Sequence, residues 1–405
     1  MSQSFTEYSR QGYFGRIGGA IVGAIVGVVF LLVAIVVLFW NEGRAVRTAK
    51  MLKEAASVVV TVDPARIDPA RDGKLVHFTA DAQGEALADP LFHVSRTAIR
   101  LKRTAEMYQW KQTEESHTHN NAIGGGSTTE KTYTYSEVWS ETPINSSEFH
   151  IRPGHKNPAA KRIESQTWAA AKVQAGAFTI PPELVNKIDN FTPVALGDPE
   201  RSQLPDAMQK DSTILDGKCY VAGDPGRTVE APSPHIGDVR VTLESAPPGP
   251  VSVIGRQAGA TIASYGTPSG GAVELLYVGA HPASEMIASE EHHNAKLTWI
   301  LRVAGFVVMW IAIGVMLQPL RIMAGVIGIL GDLVGAGVGI VAFLAAGGIS
   351  AATIAIAWIV YRPVLGLGLL ALAAAAMIGL IVLWKGRAAR RRTATSAMPV
   401  ANAIP

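Results

Sequence analysis

Two groups of apolar residues restrict this chain more than any other feature: one run near the N-terminus, Ile17 to Phe39, and further runs that begin at Leu297. Each is long enough to cross a hydrocarbon core of about 30 Å at about 1.5 Å per helical residue. Between Trp40 and Leu297 no apolar run reaches that length. The chain therefore reads as a membrane protein whose long polar middle folds in water, with both ends tied to one bilayer. The first run has 23 residues, longer than the roughly 7–15 of a secretory hydrophobic region, and its Leu38-Phe39-Trp40 exit is no small-residue cleavage site. It reads as a retained anchor.

Whole-chain averages of 48% hydrophobic and 17% charged residues mix these two regimes. A net charge of +3, with no Lys/Arg stripe interleaved with aromatics, argues against nucleic acid as a direct partner. The single cysteine, Cys219, makes no intramolecular disulfide, so the polar region has to be held by its own core.

Four spans are expected, giving an α-helical membrane protein with a large β-rich α+β extramembrane domain between spans one and two. Residues 1–16 form a cytoplasmic tail, 17–39 the first transmembrane helix, and 40–296 an exported, periplasmic or lumenal, domain. Residues 297–317 form the second helix, ended by Pro319. Residues 318–332 are an interfacial or re-entrant segment, because 40 apolar residues from Ile322 to Tyr361 in one straight helix would reach about 60 Å. Gly331-Asp332 is the expected break, with Asp332 as a helix N-cap. Residues 333–361 and 364–384 are spans three and four, and 385–405 is a basic cytoplasmic tail. If Ile322 to Asp332 also crosses, the spans number five. Lys385, Arg387, Arg390, Arg391 and Arg392, with Arg10, Arg16 and Arg321, mark the cytoplasmic side. Arg44, Arg47, Lys50 and Lys53 pull the other way, but charge at the head of a long translocated domain counts for less.

Within span one, Gly19, Gly23 and Gly27 share one helix face, the small-xxx-small pattern that admits a close helix partner. Two intramembrane polar residues stand out. Arg302 either snorkels to the headgroups or pairs with Asp332, and Asp332 serves either as a cap or in a polar cavity. In the polar region, period-two alternation predicts strands over 57–62, 74–80, 98–115, 131–142, 238–244, 251–256 and 272–278. The 98–115 and 131–142 runs form a hairpin around Gly124-Gly125-Gly126-Ser127. Short helices are expected over 43–55 and 181–188, and another, 281–296, leads into span two.

Several segments together carry a resemblance: Trp40-Asn41-Glu42-Gly43-Arg44-Ala45, the Tyr108-Gln109-Trp110 block, Gly154-His155-Lys156-Asn157-Pro158, Asp189-Asn190-Phe191, Gly237-Asp238-Val239 and Tyr361-Arg362-Pro363. In this order, from about Gly18 to Trp384, the chain resembles the transmembrane protein 43 (LUMA) family. The resemblance implies four spans and a large domain outside the cytosol. In animals it implies the endoplasmic reticulum and inner nuclear membrane, where members self-associate and organise envelope complexes. Gly/Ala-rich spans and the Gly-rich hairpin tip depart from the animal pattern and point to a bacterial member, in which the domain would be periplasmic.

No nucleophile elbow, phosphate loop or zincin pattern accompanies the Ser, His and Asp residues, so no enzyme, catalytic residue or cofactor is expected. The pairs His117/His119, His150/His155 and His292/His293 lack the further ligands a zinc site needs. Two sequons, at Asn145 and Asn190, matter only in a eukaryotic host. The expected function is a membrane scaffold: a homo-oligomer in the lipid bilayer that docks other membrane or envelope proteins. The alternative is an oligomeric channel or transporter built on spans two to four.

Overall fold

The computed structural model describes residues 3–120, 126–324, 328–368 and 371. Its long helices are α1 (Tyr13–Val58), α2 (Ala283–Met316) and α4 (Gly328–Tyr361), with the short α3 (Gln318–Ala324) between α2 and α4. Three segments are long and apolar enough to cross a membrane: α1, α2 and the 28 residues Val334–Tyr361 of α4. Most of the expected fourth span, 364–384, and all of the basic tail lie outside the described residues.

Two boundaries differ from expectation. α1 continues for 46 residues through the Trp40–Gly43 exit, so the separate helix expected over 43–55 is its last third. Arg, Ala, Lys, Met, Leu and Glu fill that stretch, and one glycine costs only about 1 kcal/mol against such helix formers. α4 likewise passes through Gly331-Asp332, which is therefore neither a break nor an N-cap. The Asp332 side chain lies outside the described residues.

The chain divides into two compact units. The first holds residues 1–16, 47–294 and 322–331, and the second residues 17–46, 295–321 and those from 332 on. Twelve strands of the first unit matter here: β1 (Gln3–Gln11), β2 (Leu75–Gln83), β3 (Arg100–Asn120), β4 (Ser127–Ser140), β5 (Val173–Ala175), β6 (Phe178–Ile180), β7 (Ser212–Leu215), β8 (Lys218–Val221), β9 (Val239–Ala246), β10 (Gly249–Ala258), β11 (Thr261–Ala263) and β12 (Leu275–Val278). One sheet runs β1-β4-β3-β9-β8-β7, with short strands at 166–169 on β3 and 192–194 on β9. In the other, β10-β11-β6-β5-β2 closes on itself, because β2 also pairs with β10.

The closed ring explains a pattern that alternation alone does not predict. Val251 to Gly255 of β10 are all buried. Val251 and Val253 join the ring core with Phe78 and Phe178, whose rings stack at 4.4 Å. Ile254, on the other face, packs with Leu52 and Ala55 of α1 and Met286 and Ile287 of α2. β9 keeps the simple rule instead: Val239, Val241 and Leu243 are buried and the residues between them are half-buried.

The expected hairpin is present as β3 and β4, in register from Met107↔Ser140 to Asn120↔Ser127. Residues 3–11, read as part of a tail, form β1 on the open edge of β4, from Gln3↔Tyr135 to Gln11↔Ser127.

Two histidines give this unit a pH response. His77 is buried, within 3.1 Å of Thr61 Oγ1 and 2.9 Å of the His281 carbonyl, and burial pushes its pKa below the ordinary value. The unfolded chain then binds a proton near pH 6.5 that the folded chain rejects, so stability falls as pH drops from about 6.5 toward the lowered pKa. His281 opposes this: its bond to Glu285 raises its pKa and adds stability that is lost as pH rises through the raised value. In urea titrations between pH 5 and 8, His77→Leu should flatten the acid-side loss. Glu285→Gln should steepen it by removing the opposing gain. Identical slopes in both variants would refute the assignment.

Candidate functional site, a charge cluster among the membrane helices

Where the apolar run of α1 ends, Asn41 and Glu42 are almost fully buried, at 0% and 2% exposure. A carboxylate there survives only if it is paired and hydrogen-bonded. Glu42 is both: Arg302 of α2 donates from Nε and Nη2 to its two oxygens, at 2.6 and 2.8 Å, and Trp358 Nε1 of α4 donates to Oε2 at 2.8 Å. One carboxylate thus ties three helices. A second tie runs beside it, from Asn41 Nδ2 to the Thr298 carbonyl at 3.2 Å and from Arg44 Nη2 to Thr298 Oγ1 at 3.0 Å. The Arg302 guanidinium also lies over the Trp299 ring at 4.8 Å and near that of Trp358 at 5.8 Å.

Backbone spacing permits this. A Cβ at Gly43 would stand 2.6 Å from Cζ of Tyr361, whose ring also meets Phe39, so a larger residue there would have to displace that ring. Deeper in the unit, Leu38, Met309, Ile313, Ala342 and Ala346 form the apolar contact of the three helices. Of the expected small-residue face, Gly27 lies against α2 of the same chain, where a Cβ would stand 2.8 Å from the Ala312 carbonyl oxygen. Gly23 sits against Val315 at ordinary contact, and Gly19 faces open space.

Arg302 is therefore not a free snorkelling cation: its bidentate partner is Glu42. Trp358 is a hydrogen-bond donor to the same carboxylate. The sequence holds a signal for the pair: opposite charges sit just past the end of one apolar run and just inside the start of the next. Trp40, Arg362 and Pro363 are exposed at this end of the helices.

The other motif residues meet in the first unit. Beyond the end of β9, the outer edge of β3 would be bare. Asn157 covers it, taking the Trp110 N–H at 2.7 Å and donating to the Trp110 carbonyl at 2.8 Å and to that of Ile144 at 3.2 Å. The side-chain amide acts as a strand surrogate. Gln109, fully buried, bonds Ile144 N and the Thr142 carbonyl, both at 2.8 Å. His155 stacks on Tyr135 at 4.0 Å, meets Trp110 edge-on at 4.7 Å, and lies 3.1 Å from the Ile151 carbonyl through Nδ1. Gly154, at φ +81°, makes the turn that delivers it. Tyr108 donates to Glu137, Pro158 lies against Gly237, and Lys156 is exposed.

The paired histidines are separated by these roles. His150 stacks on Tyr133 at 4.2 Å, His117 and His119 are exposed on β3, and His292 and His293 are exposed on α2. Among the described residues no three His, Cys, Asp or Glu side chains gather as metal ligands.

Comparison with known proteins agrees with the family resemblance read from the sequence. Residues 107–363 match the family model for transmembrane protein 43. The chain is 33% identical over 370 residues to rat transmembrane protein 43, covering 88% of this chain and 89% of the relative. It is 33% identical over 367 residues to the human protein, 88% of each, and 28% identical over 344 residues to the Drosophila melanogaster homolog, 82% of this chain and 87% of that one. No solved structure matches. With this identity over most of its length and candidate spans in the matching region, the chain is a membrane protein of the transmembrane protein 43 family.

Proposed function

We propose that the chain is a non-enzymatic, self-associating membrane scaffold that organises membrane or envelope protein complexes through its β-rich domain on the non-cytosolic side. The observation that carries this reading is the Glu42–Arg302–Trp358 tie. Both carboxylate oxygens are engaged by other helices, as suits a brace that holds a platform rather than a charge exposed along a conduit. The transport alternative draws on Asp332, Arg302 and the Gly-rich segment before span three, and of these Arg302 is bonded to Glu42. Tethering a domain by both ends raises the local concentration of whatever it docks.

The β1 strand sets a condition on the topology. A crossing by residues 17–39 puts residues 3–11 and 127–135 in different compartments, so for one chain in one bilayer it excludes the β1–β4 ladder. The crossing has the stronger drive. Sixteen Ile, Val, Leu and Phe residues occupy that run, and at roughly 0.3–0.6 kcal/mol each they favour insertion by about 5–10 kcal/mol. The cross-strand contacts of β1, such as Thr6 with Thr132 and Tyr8 with Glu130, are exposed and worth little. The ladder then belongs to the chain outside the bilayer.

Thiol labelling tests the arrangement. Native Cys219 is fully buried, with a thiol pushed up to about 12, and will not report. Introduced cysteines at exposed Thr228 and at Ala394 replace it. An impermeant maleimide should label position 228 in intact cells and 394 only after lysis. Cysteines at 6 and 132 should fail to cross-link in membranes, and a differently tagged copy should co-purify. Reversed labelling refutes the exported domain, a 6–132 disulfide in membranes refutes the crossing, and a monomer in native nanodiscs refutes self-association.

A further inference from the structure

The second unit contains a cavity of about 460 Å³ beside the charge cluster, between α2 and α4. Its size falls in the roughly 300–1,000 Å³ range of small-molecule sites. Trp299, Arg302 and Trp358 line one end, and Phe306, Ser350 and Ile354 the rest. The lining is apolar even at Ser350, whose hydroxyl lies 3.2 Å from Met309 Sδ and asks nothing of a ligand. A polar metabolite would lose its hydration there without replacement.

Charge separates the two ends. The helix segments 40–46, 295–302 and 358–363 hold Arg44, Lys296, Arg302 and Arg362 against the single carboxylate of Glu42. Lys296 and Arg362 are exposed, and Arg362 is near enough to interact electrostatically with Glu42. Trp299 is 63% exposed beside the Arg302 guanidinium, the position of an interfacial tryptophan. An apolar slot whose cationic, tryptophan-flanked mouth carries excess positive charge complements one kind of molecule: an acyl chain joined to an anionic headgroup.

We infer that the α2–α4 cavity holds an acyl chain of an anionic phospholipid, its phosphate at the rim formed by Arg362 and Lys296. Site and brace share Arg302 and Trp358, so an occupant is felt by the tie that joins the helices. The inference is independent of the scaffold reading, since a transporter could carry the same site.

The test uses the full chain, delipidated in detergent and titrated with phosphatidylglycerol or phosphatidylcholine, with bound lipid counted by native mass spectrometry. Phosphatidylglycerol should bind in preference to phosphatidylcholine. Arg362→Gln, an exposed change that leaves the brace intact, should weaken phosphatidylglycerol about fivefold, the effect of about one basic side chain at an anionic surface. Ala351→Phe, which fills the slot, should abolish the preference. Equal retention of the two lipids overturns the proposal, as does unchanged binding in Arg362→Gln whether or not Ala351→Phe folds. A sterol carried through purification in place of phospholipid, or no phospholipid binding at all, also overturns it.

Discussion

Glu42→Ala is expected to cost about 3–5 kcal/mol of stability, because it leaves the Arg302 guanidinium desolvated and without its carboxylate. The loss should exceed that of Arg44→Ala, since Arg44 Nη2 donates to the uncharged oxygens of Asn41 and Thr298, whereas Arg302 donates to both carboxylate oxygens of Glu42. The penalty belongs to the uncompensated charge, so the double variant Glu42→Leu with Arg302→Met should recover most of it. A double-mutant cycle on thermal unfolding of the full chain in detergent reads the coupling directly. Additive losses would mean that the two side chains act separately and that the three-helix brace is wrong. Glu42→Gln separates charge from hydrogen bonding: the amide keeps an acceptor for Trp358, so any loss beyond a few tenths of a kcal/mol is owed to Arg302.

A second large effect is expected at Asn157. Asn157→Leu keeps the volume but strands the part-buried Trp110 N–H and C=O, each worth up to about 1–3 kcal/mol when unsatisfied. The expected destabilisation is about 2–4 kcal/mol, read as a lower urea midpoint of near-ultraviolet circular dichroism, to which Trp110, Tyr135 and their neighbours contribute. Lys156→Ala, one residue away and exposed, should stay within about 0.5 kcal/mol. Equal effects at the two positions would remove the strand-surrogate role of Asn157.

Local pattern made much of this molecule legible. The hairpin β3–β4 follows from period-two alternation around a glycine-rich tip, and the membrane helices follow from unbroken apolar runs. Both signals sit within a few residues of the structure they encode. The length of α1 was harder to see, because the change from apolar to charged residues at Asn41 looks like an end. Helix propensity carries through it while only the solvent of the exposed face changes. β1 was invisible because Gln3 to Gln11 has no apolar face; its pairing exists only against the free edge of β4.

By itself, then, the sequence determined which segments seek lipid, which seek water, and where alternating residues make strands, since each depends on neighbours in the chain. Tertiary structure alone decided that Glu42 meets Arg302 and Trp358, that Asn157 completes the edge of β3, and that β10 is buried on both faces. The first two of those facts join residues separated by 47 to 316 positions. Their energies come from desolvated charge and unsatisfied backbone, which exist only once the partners have been brought together.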